Sequence, residues 1–539
     1  MRILSLHSCK LYAEESMGKI VKFVICNMFI FNISIVSAIG YQTRAGFTSH
    51  DWQFTGPIHK WCITDTVANG IHICWKWSNF APATDLNARY NFYNFTNWNW
   101  NWFDGVNVFA QRSAFHSMDN HPISGCVYIL GNNMLARDQA PGAGLFEFFT
   151  VPNNLLYPII AVTPDDVVHC LYKDNIDGDT LLYSRNWSSP ININSPMPGP
   201  TFPSYNFSGS KISNKLIAVW LCDEETVQTR IFYRISNNSG IIWEAPVQLP
   251  YPPTVISSPT FNDYSLYAMF DAQDNFHIVT AVCERGFAIP AEIWHFCPIN
   301  NPQWSLVSHY EAETPSATVG YNAIFACRPT IVQNYHDNYL HVAWEQFDSL
   351  NYEPITSLAR ADIFVAESPN NGLTWQNQRP ITTPNTTSKR FPCAGGVDHD
   401  TLTVAYLIDS IAGFEIMSQG RATLNPIVIH RIKVPLPASV IEEQSALYAQ
   451  RSLLYSEPNP FTSHAIIRYT LPAQKNVSLS IYDVTGRLIK VLVSDTKLIG
   501  EHSVIWNGRD NRDVRVKNGI YFCSLKTNNK VITYKIIKT

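Results

Sequence analysis

Short runs of alternating apolar and polar residues, separated by turn residues, fill the chain between residues 45 and 435. One run recurs: a turn rich in Asp, Asn or Gly precedes it, and most copies end on an aromatic residue. The seven copies are "NGIHICW" ending at Trp75, "SGCVYIL" ending at Leu130, "DDVVHCLY" ending at Tyr172, "NKLIAVW" ending at Trp220, "DNFHIVT" ending at Thr280, "DNYLHVAW" ending at Trp344 and "HDTLTVAY" ending at Tyr406. They return every roughly 40 to 65 residues, a spacing typical of repeated β-sheet units.

The alternation has a period of two, and no long helical periodicity accompanies it, so the pattern predicts an all-β protein. A unit of about four antiparallel strands cannot bury both its faces alone, and packing such units radially solves that problem. We therefore predict a seven-bladed β-propeller over residues 39–434, with six blades as the alternative because the second copy is the weakest. A row of β-sandwich domains is less consistent with one strand motif repeated at this spacing.

Two hairpins share a spacing of Ser, Asn, Gly and Trp: "SNNSGIIW" and "SPNNGLTW". They resemble the Asp-box, or BNR repeat, of the sialidase superfamily, with Asn in place of Asp and, in the first copy, Ile242 in place of Thr. Asn can make the same bonds to turn amides as Asp. The resemblance implies a structural role on the outer rim of a propeller, and its residues here are Ser236, Asn238, Gly240, Trp243, Ser368, Asn370, Gly372 and Trp375.

An enzyme of the sialidase type needs three arginines around a carboxylate, a tyrosine nucleophile with a glutamate, and an aspartic acid. The Phe/Tyr-Arg-Ile-Pro segment of that family is absent near the first blade. Arg112, Arg328 and Arg390 fall near expected blade starts, so they either converge in a central channel or pair with neighbouring blades. Because no spacing rule selects Glu345 or another carboxylate, we assign no catalytic residue.

The loop "NFTNWNWNWFDG" places Trp98, Trp100 and Trp102 in alternation with asparagines. In a strand, all three indoles would share one face, either as a stacking platform for sugars or a peptide or packed on the neighbouring blade. Four histidines occupy equivalent positions in the repeated run, and we interpret them as buried packing residues rather than ligands; they are His72, His169, His277 and His341.

The pattern changes after a linker at residues 435–452. Residues 453–539 contain short alternating strands and tight turns, as in a small Ig-like β-sandwich. The motifs "NPF", "IYDVTGR", "WNGRD" and "NGIYF" closely resemble the type A C-terminal sorting domain of the type IX secretion system and the related Ig-like domain of flagellar hook-capping proteins. The motif residues are Asn459, Pro460, Phe461, Asp483, Gly486, Arg487, Trp506, Gly508, Gly519 and Tyr521.

The resemblance implies that the secretion machinery is a partner and carries the chain across the outer membrane of a Gram-negative bacterium, for release or surface attachment. The amino end agrees with export. From Met17, Lys19 and Lys22 precede an apolar run that ends on the small residues Val36-Ser37-Ala38. We interpret residues 1–38 as an upstream extension and a signal peptide that is cleaved near Ala38.

The composition narrows the function further. The formal net charge is -4 and no long Lys/Arg run occurs, which argues against nucleic acid as a partner. The 12 cysteines form no CxxC or zinc-type spacing, so we predict no metal site and no cofactor, and the disulfide pairing stays open.

We therefore expect an exported monomer whose propeller binds a glycan or protein ligand without catalysis. The alternative is an exo-glycosidase, a sialidase-like hydrolase that uses the channel arginines.

Overall fold

The computed structural model describes residues 40–434, apart from 55, 80–84, 115, 132, 153–154, 175–178, 201, 223–228 and 312–314, and residues 454–539, apart from 472–474, 498–499 and 528–529. The regular elements of the described residues are β-strands, apart from one 3-10 helix at Glu415–Met417, so the all-β prediction is confirmed. The chain divides into two compact units, Met1–Pro435 and Leu436–Thr539. The predicted signal peptide, its cleavage site and the linker lie outside the described residues.

The described part of the first unit contains seven antiparallel sheets, which we number I to VII in chain order. The first strand, β1 (Tyr41–Thr48), belongs to the last sheet. Sheet I contains β2 (Cys62–Asp65), β3 (Gly70–Trp77), β4 (Asn87–Asn94), β5 (Asn99–Trp100) and β6 (Val106–Asn107). Sheet II contains β7 (Ser117–Asn120), β8 (Val127–Leu130), β9 (Met134–Asp138) and β10 (Phe146–Thr150). Sheet III contains β11 (Leu156–Val162), β12 (Val168–Lys173), β13 (Leu181–Arg185) and β14 (Ile191–Asn192).

The remaining four sheets of this unit follow the same plan. Sheet IV contains β15 (Tyr205–Gly209), β16 (Leu216–Cys222), β17 (Arg230–Ser236) and β18 (Val247–Gln248). Sheet V contains β19 (Pro259–Phe261), β20 (Tyr267–Phe270), β21 (Phe276–Glu284), β22 (Ala291–Phe296) and β23 (Trp304–Tyr310). Sheet VI contains β24 (Ala326–Gln333), β25 (Leu340–Tyr352), β26 (Ala359–Ser368) and β27 (Gln376–Pro380). Sheet VII contains β28 (Ser388–Asp398), β29 (Thr401–Asp409), β30 (Asn425–Lys433) and β1.

The seven recurring runs of the sequence contribute the seven strands β3, β8, β12, β16, β21, β25 and β29, each of which pairs with the opening strand of its sheet. These strands are apolar on both faces because both faces are covered: every residue of β16 and of β8 is buried. A strand that is buried on two sides lies in the interior of the unit, and burial of its apolar side chains is the main contribution to the stability of its sheet.

Hydrogen bonds join the opening strands of neighbouring sheets. In each bond, a polar group on or near the opening strand of one sheet bonds to a polar group of the neighbouring sheet that has no partner in its own sheet. The bonds are Asn120 Nδ2 to Asp65 Oδ2 (2.8 Å), Val162 N to Asp119 Oδ2 (2.9 Å), Tyr205 OH to Tyr157 O (2.5 Å), Ala268 N to Asn206 Oδ1 (3.0 Å), Arg328 N to Ser265 Oγ (3.0 Å) and Ala394 N to Thr330 Oγ1 (2.9 Å). A seventh contact joins the last sheet to the first, from Cys393 Sγ to Cys62 O (3.7 Å).

Sheet VII combines the two ends of this unit. β1 pairs with β30 in antiparallel register, from Tyr41 opposite Arg431 to Thr48 opposite Asn425, with a bulge between Arg44 and Gly46. The edge of β30 is therefore covered by the beginning of the unit, which removes an exposed edge and ties both ends to one sheet.

In the two Asn-containing hairpins, asparagine makes the bonds to turn amides that were expected when it replaces the Asp of the Asp-box. Asn238 Oδ1 accepts the Ile242 amide (2.8 Å), and Ser236 Oγ accepts the Gly240 amide (3.0 Å). Asn370 and Ser368 make the same bonds to Thr374 and Gly372 (2.9 and 2.8 Å). Both hairpins also pack against the preceding sheet: the rings of Trp243 and Tyr183 lie 5.0 Å apart, and those of Trp375 and His295 lie 5.3 Å apart.

The second unit contains two sheets around one apolar core. One sheet contains β31 (Leu454–Glu457), β32 (Ala465–Leu471) and β35 (Gly500–Trp506); the other contains β33 (Lys475–Asp483), β34 (Leu488–Lys497), β36 (Gly519–Thr527) and β37 (Lys530–Lys538). Trp506 is fully buried between Phe461 and Tyr521, with ring centroids 5.2 Å from each. Asp483 accepts the backbone amides of Thr485 and Arg487, which closes the turn at Gly486. The tail motifs therefore supply the core and a turn of this unit.

In the described part of the chain, no helix has the length and apolar character needed to cross a membrane.

The hairpin contact with the preceding sheet generates a stability prediction. Gly240 has φ +74°, and a Cβ placed on it would lie 1.6 Å from the Tyr183 hydroxyl, so Gly240→Ala adds a steric clash to backbone strain. Gly286→Ala is the matched control, because Gly286 has φ +81° but no atom within 4 Å of a Cβ. We expect the control to lose about 1 kcal/mol of unfolding free energy and Gly240→Ala to lose roughly 1–3 kcal/mol more. Urea unfolding measures both, and equal losses would contradict the packing role.

Candidate functional site

The connection between β1 and β2, residues 49–61, lies among five sheets, and we call it the crossing segment; residue 55 is outside the described residues. Its contacts are the ring of Trp52 stacked on Phe414 (5.2 Å), the ring of Phe54 edge-on to Phe391 (5.3 Å), Gly56 against Tyr157, the Ile58 carbonyl accepting from Asn206 Nδ2 (2.7 Å), and Lys60 Nζ paired with Asp119 Oδ1 (3.2 Å). The chain's own residues therefore occupy the space between these sheets.

Buried polar groups hold the crossing segment in place. Gln53 bonds to both backbone groups of Lys76: its Nε2 donates to the Lys76 carbonyl (3.0 Å) and its Oε1 accepts the Lys76 amide (2.9 Å). Asp51 Oδ2 accepts the Glu415 amide (2.8 Å). Because an unpaired buried amide or carboxylate is costly, these bonds fix one path for the segment.

Where the crossing segment meets sheets I to III, it borders a small cavity of about 10 Å³, room for about one water molecule. The cavity is lined by His59, Lys76, His116 and Tyr157, together with Gly56, Pro57 and Pro158. His50 lies next to this group, since Lys76 acts on it electrostatically. We call His50, His59, Lys76 and His116 the histidine–lysine cluster.

Burial controls the protonation of the histidine–lysine cluster. It lowers the pKa of His50 and of His59 to about 3, and the Lys76 charge lowers both further. Burial likewise lowers the pKa of His116 well below its usual range and that of Lys76 to about 7. At neutral pH the three imidazoles are therefore uncharged and the Lys76 ammonium is close to its titration point. The side chains whose charges lower the pKa values of these histidines include Lys76 and, for His50, Arg112.

Tyr157 is held in an unusual backbone conformation beside this cavity. Its φ is +52°, a region that residues other than glycine rarely adopt, and the pairing of β11 with β12 shifts register between Leu156 and Ile159. Its carbonyl accepts the Tyr205 hydroxyl, and burial raises the pKa of its phenol. Strain that the surroundings maintain at one residue is a marker of a functional position.

Partly exposed aromatic side chains surround the crossing segment on this side. The ring of Trp52 packs edge-on against Tyr321 (5.8 Å), and 44% of Tyr321 is exposed. Tyr264 is close enough to Tyr157 and Tyr321 for their charges to act on its pKa, which burial raises to about 12. We call Trp52, Tyr157, Tyr264 and Tyr321 the aromatic rim. Flat apolar faces with polar edges are suited to stacking on sugar rings.

Of the three arginines predicted from the sequence, two meet and one does not join them. Arg328 and Arg390 both pair with the buried carboxylate of Glu345, and the Arg390 Nε to Glu345 Oε2 distance is 3.2 Å. Both arginines are 1% exposed, and they hold the pKa of Glu345 at about 2 against the opposing effect of burial. Arg112 is exposed and acts on His50 instead. The acid on which two arginines converge is the protein's own, so they present no accessible face to a ligand.

The three tryptophans do not form a common strand face, since only Asn99–Trp100 is a strand. Trp98 lies in the turn, stacked on Phe95 (5.4 Å) with Arg431 over its ring (5.2 Å). Trp100 Nε1 donates to Thr43 Oγ1 (3.1 Å), while Trp102 packs against a different core, beside Tyr90. All three are partly buried anchors between neighbouring strands and sheets.

The four repeated histidines are fully buried. Three of them bond to the next strand of their own sheet: His72 Nδ1 to Tyr90 OH (2.7 Å), His169 Nδ1 to Tyr183 OH (2.7 Å) and His277 Nδ1 to His295 Nε2 (2.9 Å). Burial lowers the pKa of the fourth, His341, to about 3. Within the described ranges, no group of His, Cys, Asp or Glu is arranged to hold a metal ion.

Sequence reasoning did not select the histidine–lysine cluster or Tyr157. The cluster's residues come from the crossing segment, β3 and the approach to β7, and Tyr157 comes from β11. These segments are far apart in sequence. The one available signal was the polar and aromatic connection "HDWQFTGPIHK" between two strands, which is long for a hairpin.

Comparison with known proteins gives a family match for the tail: residues 457–539 match the secretion system C-terminal sorting domain. This confirms the sorting domain predicted from the tail motifs, and it indicates export to the cell surface or secretion through the type IX machinery. No curated protein sequence matches the chain.

Three solved structures show weak likeness to the chain. A PL25 polysaccharide lyase, an ulvan lyase bound to -[GlcA(1-4)Rha3S]-, has 11% identity and a TM-score of 0.44, covering 71% of this chain and 100% of its own. The polysaccharide lyase Uly1 has 9% identity and a TM-score of 0.40, covering 73% and 100%. The Aleuria aurantia lectin has 9% identity and a TM-score of 0.35, covering 62% and 99%. At these values, none of the three decides the fold or activity of this chain.

The buried arginine pair generates a stability prediction. Glu345→Gln leaves two buried guanidinium groups without their counter-charge, and we expect a loss of about 3 kcal/mol or more in unfolding free energy. Glu147→Gln is the control: it breaks the half-exposed pair with Arg137 (2.6 Å) and should cost less than about 1 kcal/mol.

The stability that Glu345 contributes should fall as the pH is lowered. The ordinary pKa of 4.5 is lowered to about 2 in the folded chain, so the stabilisation is complete above pH 4.5 and is lost as the pH falls towards 2. The difference between wild type and Glu345→Gln should shrink over that window, and a difference independent of pH would contradict the assignment.

Proposed function

We propose that this chain is an exported seven-bladed β-propeller whose face around the crossing segment binds an acidic glycan. The observation that carries the proposal is the histidine–lysine cluster, a buried group that contains the cation Lys76, beside a partly exposed aromatic rim. The sorting domain supplies the route to the cell surface or the medium, where glycans are the abundant polyanions.

The sheets support the propeller. Seven sheets of similar strand order follow one another, and a hydrogen bond links each opening strand to the next sheet and the seventh to the first. The pairing of β1 with β30 in sheet VII brings the two ends of the unit into one sheet, as closure of such a ring would require. The Asn-containing hairpins bridge sheets III to IV and V to VI, consistent with a rim position for the Asp-box-like turns.

An acidic sugar fits the face in two ways. The aromatic rim offers ring faces for stacking, and Lys76, buried beneath that face, contributes a positive charge that attracts a carboxylate or sulfate group. A positive charge in a desolvated site acts on an anion more strongly than one in water, because few water molecules screen it. The exo-glycosidase alternative has less support, since Arg328 and Arg390 already share Glu345.

Calorimetric titration of the full chain with polygalacturonate and with neutral dextran tests this function. We expect binding of the acidic polymer only, and a loss of about tenfold or more in affinity for Lys76→Met, which keeps the apolar stem but removes the charge. Lys433→Met, at a half-exposed position on β30, is the matched control and should bind like wild type. Equal binding of both polymers, or an unaffected Lys76→Met, would refute the proposal.

The affinity should also depend on pH and salt. Because burial lowers the Lys76 pKa to about 7, the charged form is lost as the pH rises through 7, and binding should weaken over that range. Added salt should weaken it further by screening the charges.

A second candidate function is cleavage of the bound glycan by acid–base catalysis, and the strained Tyr157 favours it. In this reaction Lys76 would offset the charge of the sugar's carboxylate. An uncharged imidazole of the histidine–lysine cluster can then accept a proton from the sugar carbon next to that carboxylate, and the Tyr157 phenol can donate a proton to the departing sugar oxygen. Such an elimination creates a carbon–carbon double bond in the product, whereas hydrolysis does not.

Incubation of the full chain with polygalacturonate tests this second function. We expect ultraviolet-absorbing, unsaturated oligosaccharides with wild type and a loss of about 10²-fold or more in rate with Tyr157→Phe. Tyr233→Phe, which removes a hydroxyl on β17 in sheet IV, is the control. Binding without product would leave the protein a lectin and exclude the catalytic function for that polymer.

A further inference from the structure

Two buried cysteines lie close together where sheet VII meets sheet I. Cys62 opens β2, and Cys393 lies in β28; they are 1% and 0% exposed. Cys393 Sγ lies 3.7 Å from the Cys62 carbonyl oxygen. A Cβ placed on Gly395, two residues along β28, would lie 2.6 Å from Cys62 Sγ. Both sulfur atoms therefore share one packing layer between the last and the first sheet of the unit.

The other cysteines with recorded sulfur contacts have different neighbours. Cys327 Sγ contacts Glu345 and Arg328, and Cys297 Sγ contacts Asn371. Cys74 and Cys170 lie in the interior strands β3 and β12, where a thiol packs as a small apolar side chain. Cys62 and Cys393 are distinguished because each lies beside the other's strand, at the contact between the beginning and the end of the unit.

We propose that Cys62 and Cys393 form a disulfide in the exported protein and thereby lock sheet I to sheet VII. The proposal rests on export, because the compartments outside the cytoplasm contain thiol–disulfide oxidants. One cysteine thiolate attacks the disulfide of an exported oxidoreductase, forming a mixed disulfide and releasing one thiol of the oxidant. The second cysteine then displaces the other thiol, so that two protons and two electrons leave the chain and the oxidant becomes a dithiol.

Oxidation precedes complete burial of this pair. In the folded chain, burial raises the pKa of the Cys393 thiol to about 11 and that of Cys62 well above its usual range, so the reactive thiolates are scarce there. The bond would then be made as the ends of the unit come together. Its two cysteines are 331 residues apart, and a cross-link over a loop of that length strongly restricts the unfolded chain.

The disulfide would also hold the candidate site. Cys62 directly follows the crossing segment, which carries His50 and His59. A covalent bond from Cys62 to β28 would anchor the end of that segment opposite to β1, which is itself held by pairing with β30. The path of the segment between these two anchors positions the histidine–lysine cluster.

Peptide mapping of the full chain secreted by its bacterium tests the bond. The protein is denatured and alkylated without reductant and then cut with trypsin. Cys393 should appear in peptide 391–421 joined to peptide 61–76, and reductant should separate the two. Recovery of both peptides singly, with Cys62 and Cys393 alkylated, would overturn the proposal.

Two variants assign the link, because peptide 61–76 also contains Cys74. The link should persist in Cys74→Ser and be absent from Cys62→Ser; the reverse result would overturn the assignment. If Cys62→Ser fails to accumulate, fragmentation of the linked wild-type peptide still identifies the bonded cysteine. Reductant should lower the urea midpoint of wild type and leave that of Cys393→Ala unchanged. An equal effect of reductant on wild type and on Cys393→Ala would also count against a stabilising bond between sheets I and VII.

Discussion

The bonds that fix the crossing segment determine how the rest of the first unit can be used. The Gln53 amide, the Asn206 amide and the Lys60–Asp119 pair fasten this segment to sheets I, IV and II, so that the chain's own residues fill the space between them. A path fixed by buried polar bonds is rigid, because each bond that breaks leaves a group without a partner. The consequence is that the chain's own residues fill this space, and the face proposed to bind a ligand lies to one side of the segment.

This constraint decides whether Arg328 and Arg390 are available to a ligand. In an open channel, Arg328 and Arg390 would be available to a ligand carboxylate. The Phe391 ring packs against both guanidinium groups, the arginines are closed off from solvent, and Glu345 takes the place of the ligand. Beside the crossing segment, the other cations include the buried Lys76, at the cavity, and the exposed Arg112, which acts on His50. The charge that an acidic ligand would meet therefore comes from sheet I and the approach to sheet II.

Much of the architecture could be predicted from the sequence, because local pattern and burial agree in the interior strands. The run "LIAVW" is apolar on both faces, and β16 is buried on both faces. The tail was predictable for a similar reason: Phe461, Trp506 and Tyr521 are landmarks in the sequence and together form the core of one small unit. The Asn-containing turns followed from local side-chain chemistry, which needs no knowledge of distant residues.

The candidate site could not be predicted in the same way. His50, Lys76, His116 and Tyr157 belong to separate segments, and their meeting depends on how the crossing segment runs between sheets. The tryptophan-rich loop shows the opposite problem: its alternation suggested a strand, but backbone turns at Trp98 and after Trp100 send the indoles into different cores. Pattern predicts strands well where packing is repetitive, and it fails where one irregular connection decides the neighbours.

Hydrogen–deuterium exchange of the full chain, with and without an acidic oligosaccharide, tests the central claim most directly. The account predicts slower exchange in the crossing segment and in the backbone around Tyr157 and Tyr321 when the oligosaccharide is present, and no change with a neutral oligosaccharide. Protection confined to the Trp98–Trp102 loop or to the outer strands, with the crossing segment unchanged, would contradict it.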